Sequence, residues 1–161
     1  MEIRPVRPEE AGRLRELRLQ ALEDAPEVFF STPDSERRLP IEYWESWAGT
    51  VEHRVMFVAL DAGVWVGMAG ASRHPEKTGT VSLWWLWVAP AARGHGLARQ
   101  FLEVRADWAR RSGASRLELA VAETNAAARA LYQRLGFVPT GEHRSMASDP
   151  TRVGIFMARP L

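Results

Sequence analysis

The residues best suited to binding chemistry lie in Val88-Ala89-Pro90-Ala91-Ala92-Arg93-Gly94-His95-Gly96-Leu97-Ala98. Gly94 and Gly96 stand one residue apart, and glycine turns at positive φ and lets the backbone come close to a ligand. Where a helix begins just beyond such a turn, its first N–H groups are free and its dipole favours negative charge. The guest that suits this chemistry is a phosphate or pyrophosphate, with Arg93 and His95 able to add contacts at the rim. Taken alone, the loop also fits a tight strand-to-helix turn with no ligand. The Rossmann fingerprint needs a third glycine, but Leu97-Ala98-Arg99 follows Gly96. The Gly-Lys-Ser/Thr of a Walker loop is absent too.

The flanking elements must hold this loop in place. Ahead of it, Val81-Ser82-Leu83-Trp84-Trp85-Leu86-Trp87-Val88 is dense in aromatic and β-branched residues and reads as a buried strand, stopped by Pro90. Behind it, Leu97, Phe101, Leu102, Val104, Arg105 and Trp108 recur at helical spacing up to Ser112-Gly113. Upstream, Glu2 to Val6 suggests an edge strand, and Pro8-Glu9-Glu10 opens a helix with Leu14, Leu17, Ala21 and Leu22 on one face. The proline-bearing stretch Ala25 to Pro40 reads as a loop around Val28-Phe29-Phe30, and Ile41 to Ala48 as a short helix. Val55–Leu60 and Val64–Gly70, joined at Asp61-Ala62-Gly63, make a hairpin. Downstream, Arg116–Val121 alternates as a strand that a right-handed crossover sets parallel to the tryptophan-rich one. Asn125 caps a run of helix formers that ends at Gly136. Phe137-Val138 and Val153–Met157 are expected as the last strands, with Thr140 to Arg152 a polar loop between them.

Bulk composition narrows the classes. The 161 residues suit one domain, and 46% hydrophobic with 25% charged residues is ordinary for a globule with its own core. A net charge of +1 argues against nucleic-acid binding by bulk electrostatics. The chain has no cysteine, which excludes disulfides, thiolate nucleophiles and cysteine-based zinc sites; no metal is expected. Met1-Glu2-Ile3-Arg4-Pro5 lacks the apolar core of a secretory signal and no window suits a membrane span, so the expected location is the cytoplasm.

Two segments carry a family resemblance. Val88-x-Pro90-x-x-Arg93-Gly94-x-Gly96-Leu97-Ala98 is similar to the acyl-CoA pyrophosphate loop of the GNAT family of N-acetyltransferases. Asn125-x-x-Ala128-x-x-Leu131-Tyr132-x-x-x-Gly136-Phe137 resembles that family's second cofactor segment. Their order and separation match as well. One departure is Ala91, where the family often has glutamine or arginine. The resemblance implies an α/β (α+β) domain over residues 1–161, with a mixed, mostly antiparallel sheet of six to seven strands. About four helices would flank it, and its central parallel pair would splay apart. It also implies acetyl-CoA as co-substrate and a homodimer. Main-chain groups at Leu86, Trp87 and Val88 would hold the pantetheine, and N–H groups from Arg93 through Gly94, His95, Gly96 and Leu97 to Ala98 the pyrophosphate. Asn125 would lie against the pantetheine and Ala128 beside the cofactor.

The resemblance gives Tyr132 the part of general acid for the departing CoA thiolate; at helical spacing it shares a face with Asn125 and Ala128. The base is unresolved. The places where related enzymes carry a glutamate are Ser82 and Ala120, while Glu118 is a candidate on the same strand face as Ala120. A water relay is the working expectation. The acceptor wall is expected from Phe29, Phe30, Tyr43, Trp44 and Trp85. These aromatics, with no acidic cluster near them, suggest a small apolar or aromatic amine. Alternatives are a peptide α-amine, a non-catalytic acyl-CoA-binding module and, third, a nucleotide-binding domain.

Overall fold

The computed structural model describes residues 1–147 and 149–161. A seven-stranded sheet runs in the order β1-β2-β3-β4-β5-β7-β6, where β1 is Glu2–Pro5, β2 Arg54–Asp61, β3 Val64–Arg73, β4 Thr80–Val88, β5 Arg116–Ala122, β6 Val138–Met146 and β7 Asp149–Pro160. Among the described residues only β4 and β5 pair in parallel; the other ladders are antiparallel. Five α-helices connect the strands: α1 Ala11–Asp24, α2 Pro33–Arg37, α3 Ile41–Trp47, α4 Leu97–Arg111 and α5 Ala126–Arg134. This is the mixed α/β arrangement that the resemblance implies.

Each sheet face carries its own core. Leu14, Leu17, Ala21 and Leu22 of α1 join Trp44 of α3, Met56, Val58, Met68 and Trp87 on one face. On the other, Leu97, Phe101, Leu102 and Ala109 of α4 pack on Phe57, Ala69, Leu83, Leu117 and Leu119. Gly67 permits this approach, since a Cβ there would sit 2.9 Å from the Trp87 carbonyl oxygen and 3.0 Å from Phe101.

The parallel ladder is short. It pairs Thr80 with Arg116 through Leu83 with Leu119 and then stops, although β4 continues to Val88 and β5 to Ala122. Beyond that point the two strands separate. On its other side β4 stays paired with β3, but with an irregularity: Gly70 faces Trp84 and Met68 faces Trp87, so Trp85 and Leu86 together oppose the single residue Ala69. Trp85 adopts φ +52, a left-handed conformation a bulky residue takes up only when its surroundings impose it. This β-bulge inverts the alternation of the strand. Val81 and Leu83 pack on the α4 face, whereas past the bulge Leu86 and Val88 take that face and Trp85 and Trp87 turn to the α1 side.

Two segments differ from the sequence expectation. Thr140 to Arg152 is not a loop, because β6 runs to Met146 and pairs back onto β7 as a hairpin. β6 is an edge strand, exposed along nearly its whole length, with a register irregularity around Gly141 at φ +89. Its ladder to β7 holds it, so it carries none of the apolar alternation from which a strand is read. Within Ala25–Pro40 lies α2, opened by Thr32, whose Oγ1 accepts from the Ser35 N–H at 3.2 Å, and by Pro33 at the first helical position.

Candidate functional site

Where β4 and β5 part, a cavity of about 470 Å³ is lined from both faces of the sheet. Ala128, Leu131 and Tyr132 of α5 and Arg105 of α4 line it from one side; Arg18, Phe29, Tyr43 and Trp85 line it from the other. The opening follows from the short parallel ladder: two strands that stop pairing leave a slot through the sheet.

The glycine loop leads to this slot. Gly94 and Gly96 have φ +81 and +78, and a Cβ at either would meet nothing within 4 Å, so here glycine serves conformation rather than space. Gly96 precedes α4 in the left-handed region and no side chain caps the helix. The Gln100 N–H bonds the Gly96 carbonyl at 3.1 Å, which leaves the N–H groups of the first turn for an anion. Arg93 is occupied otherwise. Its Nε donates to the Val88 carbonyl at 2.9 Å and its Nη2 to Asp24 at the end of α1. The Trp87 Nε1–H also donates to Asp24, at 2.9 Å. These hydrogen bonds, that from Trp87 foremost, hold the Asp24 carboxyl below its ordinary range. Trp87 is 4% exposed and its ring lies in the core, so only its main chain is available to a ligand. Leu86 lines the cavity, Val88 is partly buried, and His95 is exposed on the loop.

On α5, the Asn125 Oδ1 accepts from the Ala128 N–H at 3.1 Å, so Asn125 caps the helix and also lines the cavity. Tyr132 packs edge-on to Phe137, centroids 5.6 Å apart. Burial pushes its phenol above the ordinary value of 10.0, opposed by the charge of Arg105. A phenol in this state keeps its proton through the neutral range, as a general acid must. Arg105 is 1% exposed. Its Nε donates to the Phe101 carbonyl at 3.0 Å and its Nη1 to the Gly70 carbonyl at 3.4 Å, while Nη2 has no hydrogen-bond partner among the described residues. Burial lowers its pKa to about 10.

Across the sheet, Phe29, Phe30, Tyr43 and Trp85 line the cavity, but Trp44 does not. Trp44 is fully buried behind them, edge-on to Tyr43 at 5.1 Å and 6.2 Å from the Trp85 ring. Glu118 also lies away from the cavity. It is 1% exposed and held by Lys77 Nζ at 3.0 Å and Arg116 Nη2 at 3.4 Å, in the paired part of the ladder opposite Ser82. Those ion pairs hold its carboxylate outside the cavity, and Ala120 continues that strand face into it.

Residues that sequence reasoning missed complete the wall. Arg18 of α1 donates from Nε and Nη2 to both Glu36 oxygens at 2.9 and 2.8 Å, and the Ser31 hydroxyl donates to Glu36 as well. The Arg18 guanidinium lies 4.5 Å from the Phe29 ring and 4.3 Å from the Trp85 ring. Burial pushes the Tyr43 hydroxyl up, and the Glu36 charge adds to this. Arg144 reaches the cavity from β6. The available signals were Arg18 on the apolar face of its helix and the Thr32-Pro33 start that presents Glu36.

Among the described residues no group of three or more metal-ligating side chains occurs. Among the described residues no helix is long and apolar enough to cross a membrane.

Known proteins match this arrangement. A mycothiol acetyltransferase of Beutenbergia cavernae is 38% identical over 85 residues, which span 53% of this chain but only 26% of that protein. A GNAT-family acetyltransferase from Streptococcus pneumoniae superposes with TM-score 0.80 at 24% identity, covering 99% of this chain and 98% of that one. An acetyltransferase from Salmonella typhimurium, solved with its cofactor acetyl-CoA, superposes with TM-score 0.76 at 23% identity, covering 100% and 94%. The model of the acetyltransferase (GNAT) family matches residues 18–137, which include both the glycine loop and Tyr132. With three quarters of its length matched to that model, the chain belongs to the GNAT family of acetyltransferases.

Proposed function

We propose that the chain moves an acetyl group from acetyl-CoA to a primary amine by direct attack within a ternary complex, with a small apolar or aromatic amine as acceptor. One observation carries this reading: a single cavity crosses the sheet where β4 and β5 separate, with Tyr132 on one side and Phe29, Tyr43 and Trp85 on the other. The pyrophosphate lies on the N–H groups between Arg93 and Ala98, and the pantetheine follows the unpaired edge of β4 from Val88 towards Leu86, alongside Asn125 and Ala128. The edge that β5 leaves free supplies main-chain donors and acceptors for its amides.

The acceptor meets the thioester from the α1 side of the sheet. Its nitrogen forms a bond to the carbonyl carbon, the tetrahedral intermediate collapses, and the carbon–sulfur bond breaks. Tyr132 gives its proton to the departing thiolate, the new amide nitrogen loses a proton to water, and water restores the phenol. Glu118 lies outside the cavity, so a water relay takes the place of a protein base. We also propose a cytoplasmic location and, as the family resemblance suggests, a homodimer.

Thiol release from acetyl-CoA across a panel of amines tests the reading, alongside calorimetry with CoA, ATP and NAD. Turnover of apolar or aromatic monoamines with CoA-selective binding supports it. Tight CoA binding without transfer to any amine would favour a binding module, and turnover of polycations alone would refute the acceptor class. Glu118→Gln should leave the acidic limb of the pH–rate profile in place.

A further inference from the structure

The acceptor half of the cavity carries positive charge that the reaction above does not use. Arg144 extends from β6 with its guanidinium carbon 4.7 Å from the Phe30 ring centroid, lines the cavity, and has no hydrogen-bond or ion-pair partner among the described residues. Phe30 is itself held in place: a Cβ on Gly154 would fall 2.6 Å from its Cζ, so the ring rests directly against the β7 backbone. Gly154 and Arg144 are paired across the β6–β7 ladder, which sets Arg144 beside that ring.

Deeper in, Arg18 is 2% exposed, and although two of its nitrogens bond Glu36, its Nη1 has no hydrogen-bond partner among the described residues. The charged groups lining the cavity are Arg18, Arg105, Arg144 and Glu36. Arg18 and Glu36 neutralise each other, which leaves Arg144 as the cation without a carboxylate in the acceptor half and Arg105 as the one on the α4 side. A purely cationic amine enters against that field, whereas an amine with its own anionic group is drawn in by it. A guanidinium fork matches a carboxylate with two parallel hydrogen bonds.

We propose that the acceptor is a primary amine that also bears a carboxylate, of the aromatic or apolar amino-acid class, and that Arg144 at the cavity wall receives that carboxylate. This rests on the N-acetyltransferase reading. Phe30 aims the guanidinium, and the aromatic wall takes the side chain. Arg144 is thereby a specificity residue, separate from the proton transfer at Tyr132.

The test uses matched acceptors that differ only in the carboxylate, tryptamine against tryptophan and phenethylamine against phenylalanine, with thiol release measured at saturating acetyl-CoA. The carboxylated member is expected to lead in kcat/KM by about tenfold or more, the usual scale of a charge-assisted hydrogen bond. R144Q should abolish that lead while the KM for acetyl-CoA stays unchanged, and R144K should restore part of it. Arg144 is exposed, so neither substitution threatens the fold. An equal or better rate for the parent amines, or a carboxylate preference that survives in R144Q, overturns the proposal. Turnover confined to amines outside both pairs overturns it as well, leaving acyl transfer itself standing. Absence of thiol release with any amine removes both readings.

Discussion

Replacing Tyr132 by phenylalanine deletes one hydroxyl and little else. The phenol oxygen has no hydrogen-bond partner among the described residues, and the edge contact of the ring with Phe137, at 5.6 Å and 66°, needs only the ring. Thermal stability should therefore change by less than about 1 kcal/mol, the scale of a single net hydrogen bond. The KM for acetyl-CoA should hold, because the pyrophosphate and pantetheine are assigned to main-chain groups. What goes is the proton for the departing thiolate. General acid catalysis contributes roughly a hundredfold to ten-thousandfold, or about 2.7 to 5.4 kcal/mol of barrier. The rate is best read in a single turnover with bound acetyl-CoA, so that product release does not mask the chemical step. The pH profile gives a second reading. A general acid works while protonated, and burial raises this phenol above 10.0, so the wild-type rate should fall only at pH values beyond that. The alkaline limb should vanish in Tyr132→Phe. A single-turnover rate within threefold of wild type, with the alkaline limb intact, would refute the assignment.

Arg105→Met removes the charge that opposes burial at Tyr132, so the phenol should rise further and the alkaline limb of kcat move to higher pH; phenolate absorbance in a Tyr43→Phe background reads this directly, since the chain has two tyrosines. Gly96→Ala meets no neighbour, so its cost is the left-handed conformation alone, about 1–2 kcal/mol, seen as a lower Tm and a raised KM for acetyl-CoA; a KM at the wild-type value counts against the pyrophosphate assignment. Gly154→Ala must displace Phe30, so the acceptor KM should rise while that for acetyl-CoA does not, and equal changes in both would mean a general loosening instead. The Arg4 guanidinium, at 2.7 and 2.8 Å, holds the Glu10 carboxyl at about 2 against an ordinary 4.5. Its contribution to stability is complete above pH 4.5 and is lost as pH falls towards 2, so Glu10→Gln should flatten that part of the acid-unfolding curve.

The proposed cofactor half of the site can be read from the sequence because its determinants are local. Two glycines that need positive φ, a following helix, and Asn125, Ala128 and Tyr132 at helical spacing declare themselves within short windows. The acceptor half depends on separated residues that meet only in the folded chain. Arg18 sits on an otherwise apolar helix face, and nothing in its own window shows that Glu36 will meet it or that Phe29 and Trp85 will enclose it. Trp44 and Trp85 look alike as aromatic wall candidates, yet packing buries the first completely and turns the second into the cavity. Glu118 keeps the right strand parity, but it falls within the paired ladder where Lys77 reaches it.

The bulge at Trp85 decides more of the site than any single side chain. Strict alternation from Val81 and Leu83 would have sent Trp85 to the α4 face, among Phe101 and Leu102, and would have left the acceptor side without its central ring. One extra residue opposite Ala69 exchanges the faces, setting Trp85 against Arg18 and Trp47 and Leu86 towards α4. The bulge lies immediately past Leu83, where the ladder to β5 ends. The same few residues therefore open the slot through the sheet and line it with an aromatic ring. The sequence Leu83-Trp84-Trp85-Leu86 contains no glycine or proline to announce this. At its left-handed φ, Trp85 places its ring against Trp44, Trp47 and Arg18 on the far side. Backbone strain at this position and the shape of the acceptor wall are thus one feature, and a substitution that relaxes the first must disturb the second.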